Sequence, residues 1–156
     1  MKKILNFDVD GIDHLGDLLR TGLKGYATDT AQLGGMATFW CFLCNEEVLK
    51  IYSIMTDISD WDEVGTLTFR SAAEDRNVPK MIPLPSSWNC ITSVEKLVLN
   101  EIDFSAASGL VIHNYDGEKI TLVCGANVYS IQVKAPFFFG KFSPEYEISK
   151  YERYPL

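Results

Sequence analysis

The sequence predicts an α+β fold: one mostly antiparallel, curved β-sheet of about eight strands, open to barrel-like closure, with an N-terminal helix packed on one face. Three observations predict it. Gly109 to Lys134 alternates around an Asp116-Gly117 turn, the pattern of an antiparallel meander. Most other apolar runs are short, rich in β-branched or aromatic residues, and bounded by turn residues. Only Ile12 to Tyr26 repeats its apolar residues at helical spacing. The 156 residues suit a single globular domain, 1–156, with enough chain to bury a core.

The elements follow in chain order. Residues 2–9 alternate, with Leu5, Phe7 and Val9 on one side and Asn6 and Asp8 on the other, as a short strand does. Asp10 is placed to cap a helix whose stripe is Ile12, Leu15, Leu18, Leu19, Leu23 and Tyr26, ended by Gly22 or Gly25. Ala27 to Gly35 reads as a loop or a weak second helix. Met36 to Cys44 is apolar on both faces, which predicts a central strand covered on both sides. Asn45-Glu46-Glu47 turns the chain, and Val48 to Met55 returns as its partner. Asp57 to Asp62 is an acidic loop, and Val64 to Phe69 is a strand with Leu67 and Phe69 inward. Ser71 to Arg76 suits one helical turn. Pro79, Pro83 and Pro85 then exclude helix and central strand. Ile91 to Ile102 is a strand, and Ser105 to Ser108 a turn into the meander.

Within the meander, Asp-Gly suits a two-residue type I′ loop, because both central positions need positive φ. That register pairs Tyr115 with Glu118, His113 with Ile120, Val111 with Leu122 and Gly109 with Cys124. It puts Val111, His113, Tyr115, Ile120, Leu122 and Cys124 on the core face. For the second turn, an even loop keeps Tyr129, Ile131 and Val133 on that face, and an odd one replaces them with Ser130, Gln132 and Lys134. The even loop is expected.

Composition narrows the function. A formal net charge of −7 disfavours nucleic acid and anionic membrane surfaces and suits steering of a basic partner. Met1-Lys2-Lys3 is followed by only two apolar residues before Asn6, so no signal-peptide core is read, and no run approaches the ~20 residues of a membrane helix. Four cysteines without secretory context read as reduced thiols in a cytoplasmic protein.

The motifs that could carry chemistry are few. Ile4-Leu5-Asn6-Phe7-Asp8-Val9-Asp10-Gly11 resembles the first motif of the haloacid-dehalogenase-like phosphatases, an apolar strand ending in Asp-x-Asp. The resemblance implies Asp8 as nucleophile and Asp10 as acid/base. The family's Thr two residues after the second Asp is Ile12 here, and no later Asp pair suits magnesium. Asp8, Asp10 and Asp13 do not complete a calcium loop, whose twelfth position would be Leu19. Cys41 and Cys44 have C-x-x-C spacing, but on a strand they point to opposite faces and read as buried thiols. His14 and His113 have no identifiable catalytic partners. No cofactor or metal is expected, and the chain reads as non-enzymatic.

Two features suit protein recognition. Asp57-Ile58-Ser59-Asp60-Trp61-Asp62-Glu63 sets Asp57, Asp60, Asp62 and Glu63 around Trp61 on a loop. The tail interleaves Phe137, Phe138, Phe139, Phe142, Tyr146, Tyr151 and Tyr154 with Glu145, Glu147 and Glu152. The expected partner is a basic protein, such as a toxin domain, met by Asp57, Asp60, Trp61, Asp62, Glu63, Glu145 and Glu147. Bacterial immunity proteins, which inhibit nuclease toxins, are similar in broad kind: small, acidic and without catalytic residues. The competing reading is a small-molecule module with a pocket lined by Trp40, Phe42 and His113.

Overall fold

The computed structural model describes residues 2–29, 37–60, 62–71, 80–126, 129–139 and 141–156. Trp61, most of the expected helical turn at 71–76 and most of the loop expected at 27–35 lie outside them. In chain order the elements are β1 (Lys3–Leu5), α1 (Leu15–Arg20), β2 (Leu23–Thr28), β3 (Trp40–Cys44), β4 (Glu47–Asp57), β5 (Glu63–Ser71) and β6 (Ile82–Pro83). Then come β7 (Ile91–Asn100), β8 (Phe104–Asn114), β9 (Lys119–Cys124), β10 (Ile131–Lys134) and β11 (Tyr151–Pro155).

The fold is α+β and mostly antiparallel, as expected, but the strands form two sheets and do not close into a barrel. One sheet runs β10-β9-β8-β7-β11 with β1 beside β8, and the other runs β5-β4-β3-β2-β6. Trp40, Phe42, Leu49, Ile51, Leu67 and Phe69 of the second sheet share one core cluster with Leu110, Ile112, Ile120, Leu122, Ile131 and Val133 of the first. Two inner faces packed in this way make a sandwich. Trp40 anchors it, with Tyr26 stacked on its ring at 5.0 Å and Phe138 edge-on at 5.2 Å. Of the central strand expected at Met36 to Cys44, β3 takes Trp40–Cys44 and pairs with β2 and β4, while Met36 lies outside the described residues.

The first sheet is also covered on its outer face. Leu97, Leu99, Val111 and Val123 join Phe104, Ala106, Val64 and Tyr151 in a second cluster, over which Phe142 and Tyr146 pack. Strands β10 and β11 lie on opposite edges of this sheet. The chain between them must therefore cross the sheet, and residues 141–150 form a strap that does so. β8 turns its side chains over midway: Leu97 pairs with Gly109 but Val98 with Ala107, so Ser108 is a bulge. The Ser108 hydroxyl donates to the Gly65 carbonyl at 2.5 Å, tying β8 to β5.

Four expectations are corrected. The helix spans only six residues, Leu15–Arg20. Gly11 and His14 adopt positive φ (78° and 55°), which breaks the helical path before it starts, so Asp10 is not its cap. Of the two stops expected, Gly22 ends the helix, with φ of 106°, while Gly25, Leu23 and Tyr26 belong to β2. Strand β7 stops at Asn100, and the turn is Glu101 to Asp103, closed by the Glu101 N–H donating to the Phe104 carbonyl at 2.8 Å. Ser105 to Ser108 lie inside β8.

The third correction is the hairpin register. His113 pairs with Lys119, Ile112 with Ile120 and Leu110 with Leu122, a slip of one residue. The loop holds three residues, Tyr115, Asp116 and Gly117, with Gly117 at φ 81°. Asn114 selects it: its Oδ1 accepts from the Asp116 and Glu118 N–H groups at 3.1 and 2.9 Å, an Asx-type closure that a two-residue loop does not offer. Leu110 and Ile112 therefore face the inter-sheet core, Val111 and His113 the outer face, and Tyr115 is exposed. The even second loop holds: Ile131 pairs with Cys124 and Val133 with Leu122, both in the core, whereas Tyr129 falls in the loop and is exposed.

Fourth, the N-terminal strand is divided between the sheets. β1 runs parallel to β8, Lys3 beside Phe104. Asp8 then bridges in parallel to Thr68 of β5, its N–H donating to the Leu67 carbonyl while its carbonyl accepts from the Phe69 N–H at 2.8 Å. Phe7 packs edge-on against Phe69 at 4.9 Å. Residues 3–8 thus stitch the two sheets together along one side.

Candidate functional site

The acidic loop is the tip of the β4–β5 hairpin. Asp57 and Glu63 are its last cross-strand pair. The loop closes when the Ile58 and Ser59 N–H groups donate to the Asp62 carbonyl at 2.9 and 3.3 Å, and the Ser59 hydroxyl donates to the Asp62 carboxylate at 3.2 Å. This geometry leaves Asp57, Asp60, Asp62 and Glu63 exposed and turns Ile58 toward the second core cluster.

Across from it stands the β7–β8 turn. Glu101, Ile102 and Asp103 are all exposed, and Ile102 is 92% exposed at the tip. A cleft of about 370 Å³ opens between the two turns. Asp62, Glu63, Glu101 and Asp103 line it together with Ile58, Ile102, Phe104 and Tyr146. Among the described residues, none of those four carboxylates forms a salt bridge. The Tyr146 hydroxyl is pushed above its ordinary value by burial, with Glu145, Glu101 and Asp62 adding negative potential. An apolar floor ringed by carboxylates without a described ion pair is chemically suited to a guanidinium or ammonium carried on an aliphatic stem.

The structure thus brings Asp62 and Glu63 together with Glu101 and Asp103, which the sequence reading missed. The available signal was Glu101-Ile102-Asp103 itself, an isoleucine between two acids, read instead as the end of a strand. Asp57 and Asp60 lie on the same hairpin tip outside the cleft lining, and the Lys3 ammonium donates to the Asp57 carbonyl at 3.2 Å. Trp61 lies outside the described residues. Glu147 is exposed at the start of a short 3-10 turn, Ile148–Lys150, and does not line the cleft. Glu145 turns inward: its Oε2 accepts from the Gly65 N–H at 3.2 Å, and burial pushes its carboxyl up to about 7.

The other sequence candidates are committed elsewhere. Asp8 is held by both guanidinium nitrogens of Arg70, at 2.8 and 3.0 Å, which pulls its carboxyl below the ordinary value. Trp40 and Phe42 are fully buried and fill the core, and His113 stands on the far face of the first sheet, 2.6 Å from Glu95. The three residues expected to line a pocket therefore do not share one. Cys41 and Cys44 are buried, and burial pushes the Cys44 thiol up to about 12. A second cleft, of about 480 Å³, lies on the outer face of the second sheet beside Lys50 and Arg70. Arg70 is there engaged by Asp8, and Lys50 lies over the Phe39 ring at 4.9 Å. No described helix is long and apolar enough to cross a membrane. No protein family matches the chain, and neither the curated proteins nor the solved structures contain a match to it.

Proposed function

We propose that this protein is a non-enzymatic binding module, active in the cytoplasm, that captures a basic protein by receiving its Lys or Arg side chains in the cleft between the β4–β5 and β7–β8 turns. One observation carries the reading: four carboxylates with no ion pair among the described residues surround the apolar side chains of the cleft, and no described lining residue is Lys or Arg. The net charge of −7 supports it by steering a cationic partner toward the molecule. The exposed thiol of Cys90 fits a reducing compartment. Inhibition of a basic enzyme, as immunity proteins do, is the version of this function that such a surface serves best, because nuclease active sites that hold phosphates are themselves basic.

The test is capture on immobilised protein from the native host. The wild-type chain should retain a basic protein. The Asp62→Lys/Glu101→Lys variant should lose it, with an association rate at least about tenfold slower, because rim charges act chiefly on the association rate. Asp13→Lys, at an exposed position outside the cleft lining, should leave capture intact. Retention of no basic protein, or equal retention by the double variant, overturns the proposal.

A further inference from the structure

The strap at 141–150 is held by backbone bonds, by the packing of Phe142 and Tyr146, and by one titratable side chain. Its backbone runs beside the end of β9. Pro144 bridges to Gly125, the Glu145 N–H donates to the Cys124 carbonyl at 2.9 Å, and the Ala126 N–H donates to the Ser143 carbonyl at 3.2 Å. The Ser143 N–H donates to the Gln132 side chain at 3.1 Å. The Glu145 carboxyl enters a slot that exists because β5 has no side chain at Gly65. A Cβ there would come within 2.8 Å of the Cys124 Cβ and 3.2 Å of Glu145 Oε2.

We propose that Glu145 is a proton-operated latch on this strap: protonated, it seats in the Gly65 slot and holds the strap against β5 and β9; ionised, it lets the strap lift from the outer face of the first sheet. The surroundings offer the ionised form one backbone N–H donor and no described ion pair. Among the described residues, the ionisable groups facing it are the Cys124 thiol from β9, the Tyr151 phenol from β11 and the adjacent Tyr146. Burial raises all three, so each is neutral near pH 7; β5 contributes the Gly65 N–H, with the exposed Glu63 two residues along the strand. The carboxyl's preference for the proton, about 7 against an ordinary 4.5, has the sign the latch requires. Closure is strongest below 4.5, weakens as pH rises through about 7, and stays weakened above it. The latch stands without the cleft. Its consequence for binding, that lifting withdraws Tyr146 from the cleft wall, rests on the function proposed above.

Hydrogen exchange at the Glu145 and Ala126 amides tests the latch without any partner. After correction for intrinsic exchange, their protection should fall at least about tenfold between pH 5 and pH 8, as linkage over that span requires. Glu145→Gln, neutral and still able to accept from Gly65, should abolish that fall. Direct carbon-13 titration of the Glu145 carboxyl should give a midpoint near 7. A midpoint at the ordinary carboxyl value, or parallel loss of protection in wild type and Glu145→Gln, overturns the latch. A normal latch with no partner captured overturns only the binding function.

Discussion

Asn114 is nearly buried and fixes three hydrogen bonds of the β8–β9 turn. Its Oδ1 accepts from the Asp116 and Glu118 backbones, and its Nδ2 donates to the Glu118 carboxylate at 3.1 Å. Asn114→Ala would leave turn N–H groups without their acceptor in a partly closed site. It should lower stability by about 1–3 kcal/mol in denaturant unfolding with an unchanged m-value. A loss within error of zero would mean that Gly117 alone sets the loop. This residue also explains where the sequence reading slipped. Asp116-Gly117 is legible as a turn, but the two-residue loop it suggests gives Asn114 no part in closing it. Both faces of Leu110 to His113 are apolar, so hydrophobic pattern could not correct the error.

At the scale of elements, the segment from β1 to Asp8 does what neither sheet does alone: it hydrogen-bonds to both. Arg70 pins it by gripping Asp8, and that grip lowers the Asp8 carboxyl more than any other cause. A depressed carboxyl contributes stability above the unfolded value of 3.8 and loses it as pH falls through the lower folded value. Arg70→Gln should therefore bring the Asp8 titration midpoint, followed by NMR, back up toward 3.8. An unmoved midpoint would assign the shift to the Asp10 N–H instead. Strand alternation in residues 2–9 was readable, but its division between two sheets was not, because a sequence period reports faces and not neighbours. Helix α1 was readable in place, with Gly22 as one of two possible stops. Its start was not, since the left-handed turn at Gly11 and His14 interrupts an apolar period that continues through it.

For the whole molecule, two sheets and a strap bury three of the four cysteines, leaving Cys90 exposed. Burial pushes Cys44 and Cys124 up to about 12, so neither supplies thiolate at neutral pH. An aromatic disulfide reagent at pH 8 should titrate one thiol rapidly, and the other three only with unfolding. Rapid reaction of two or more would show that the sandwich opens on that timescale. The same packing separates the acids legible in sequence. Glu145 and Glu147 follow one another closely along the chain. The strap sends the first into a buried slot and leaves the second in solvent, while Glu101 and Asp103, distant in sequence, face Asp62 and Glu63 across one cleft.

By itself the sequence determined the fold class, the apolar residues of β3, β5 and β9, the even β9–β10 loop and the acidic hairpin tip. Each follows from local alternation, turn chemistry or charge, which are properties of neighbouring residues. Only the tertiary structure decided that the strands make two facing sheets rather than one curved sheet. It alone decided the β8 register, which the side chain of Asn114 selects, and the pairing of two turns into one carboxylate-lined cleft. Those outcomes depend on contacts between residues tens of positions apart, where several packings bury similar apolar surface and a few specific hydrogen bonds choose between them.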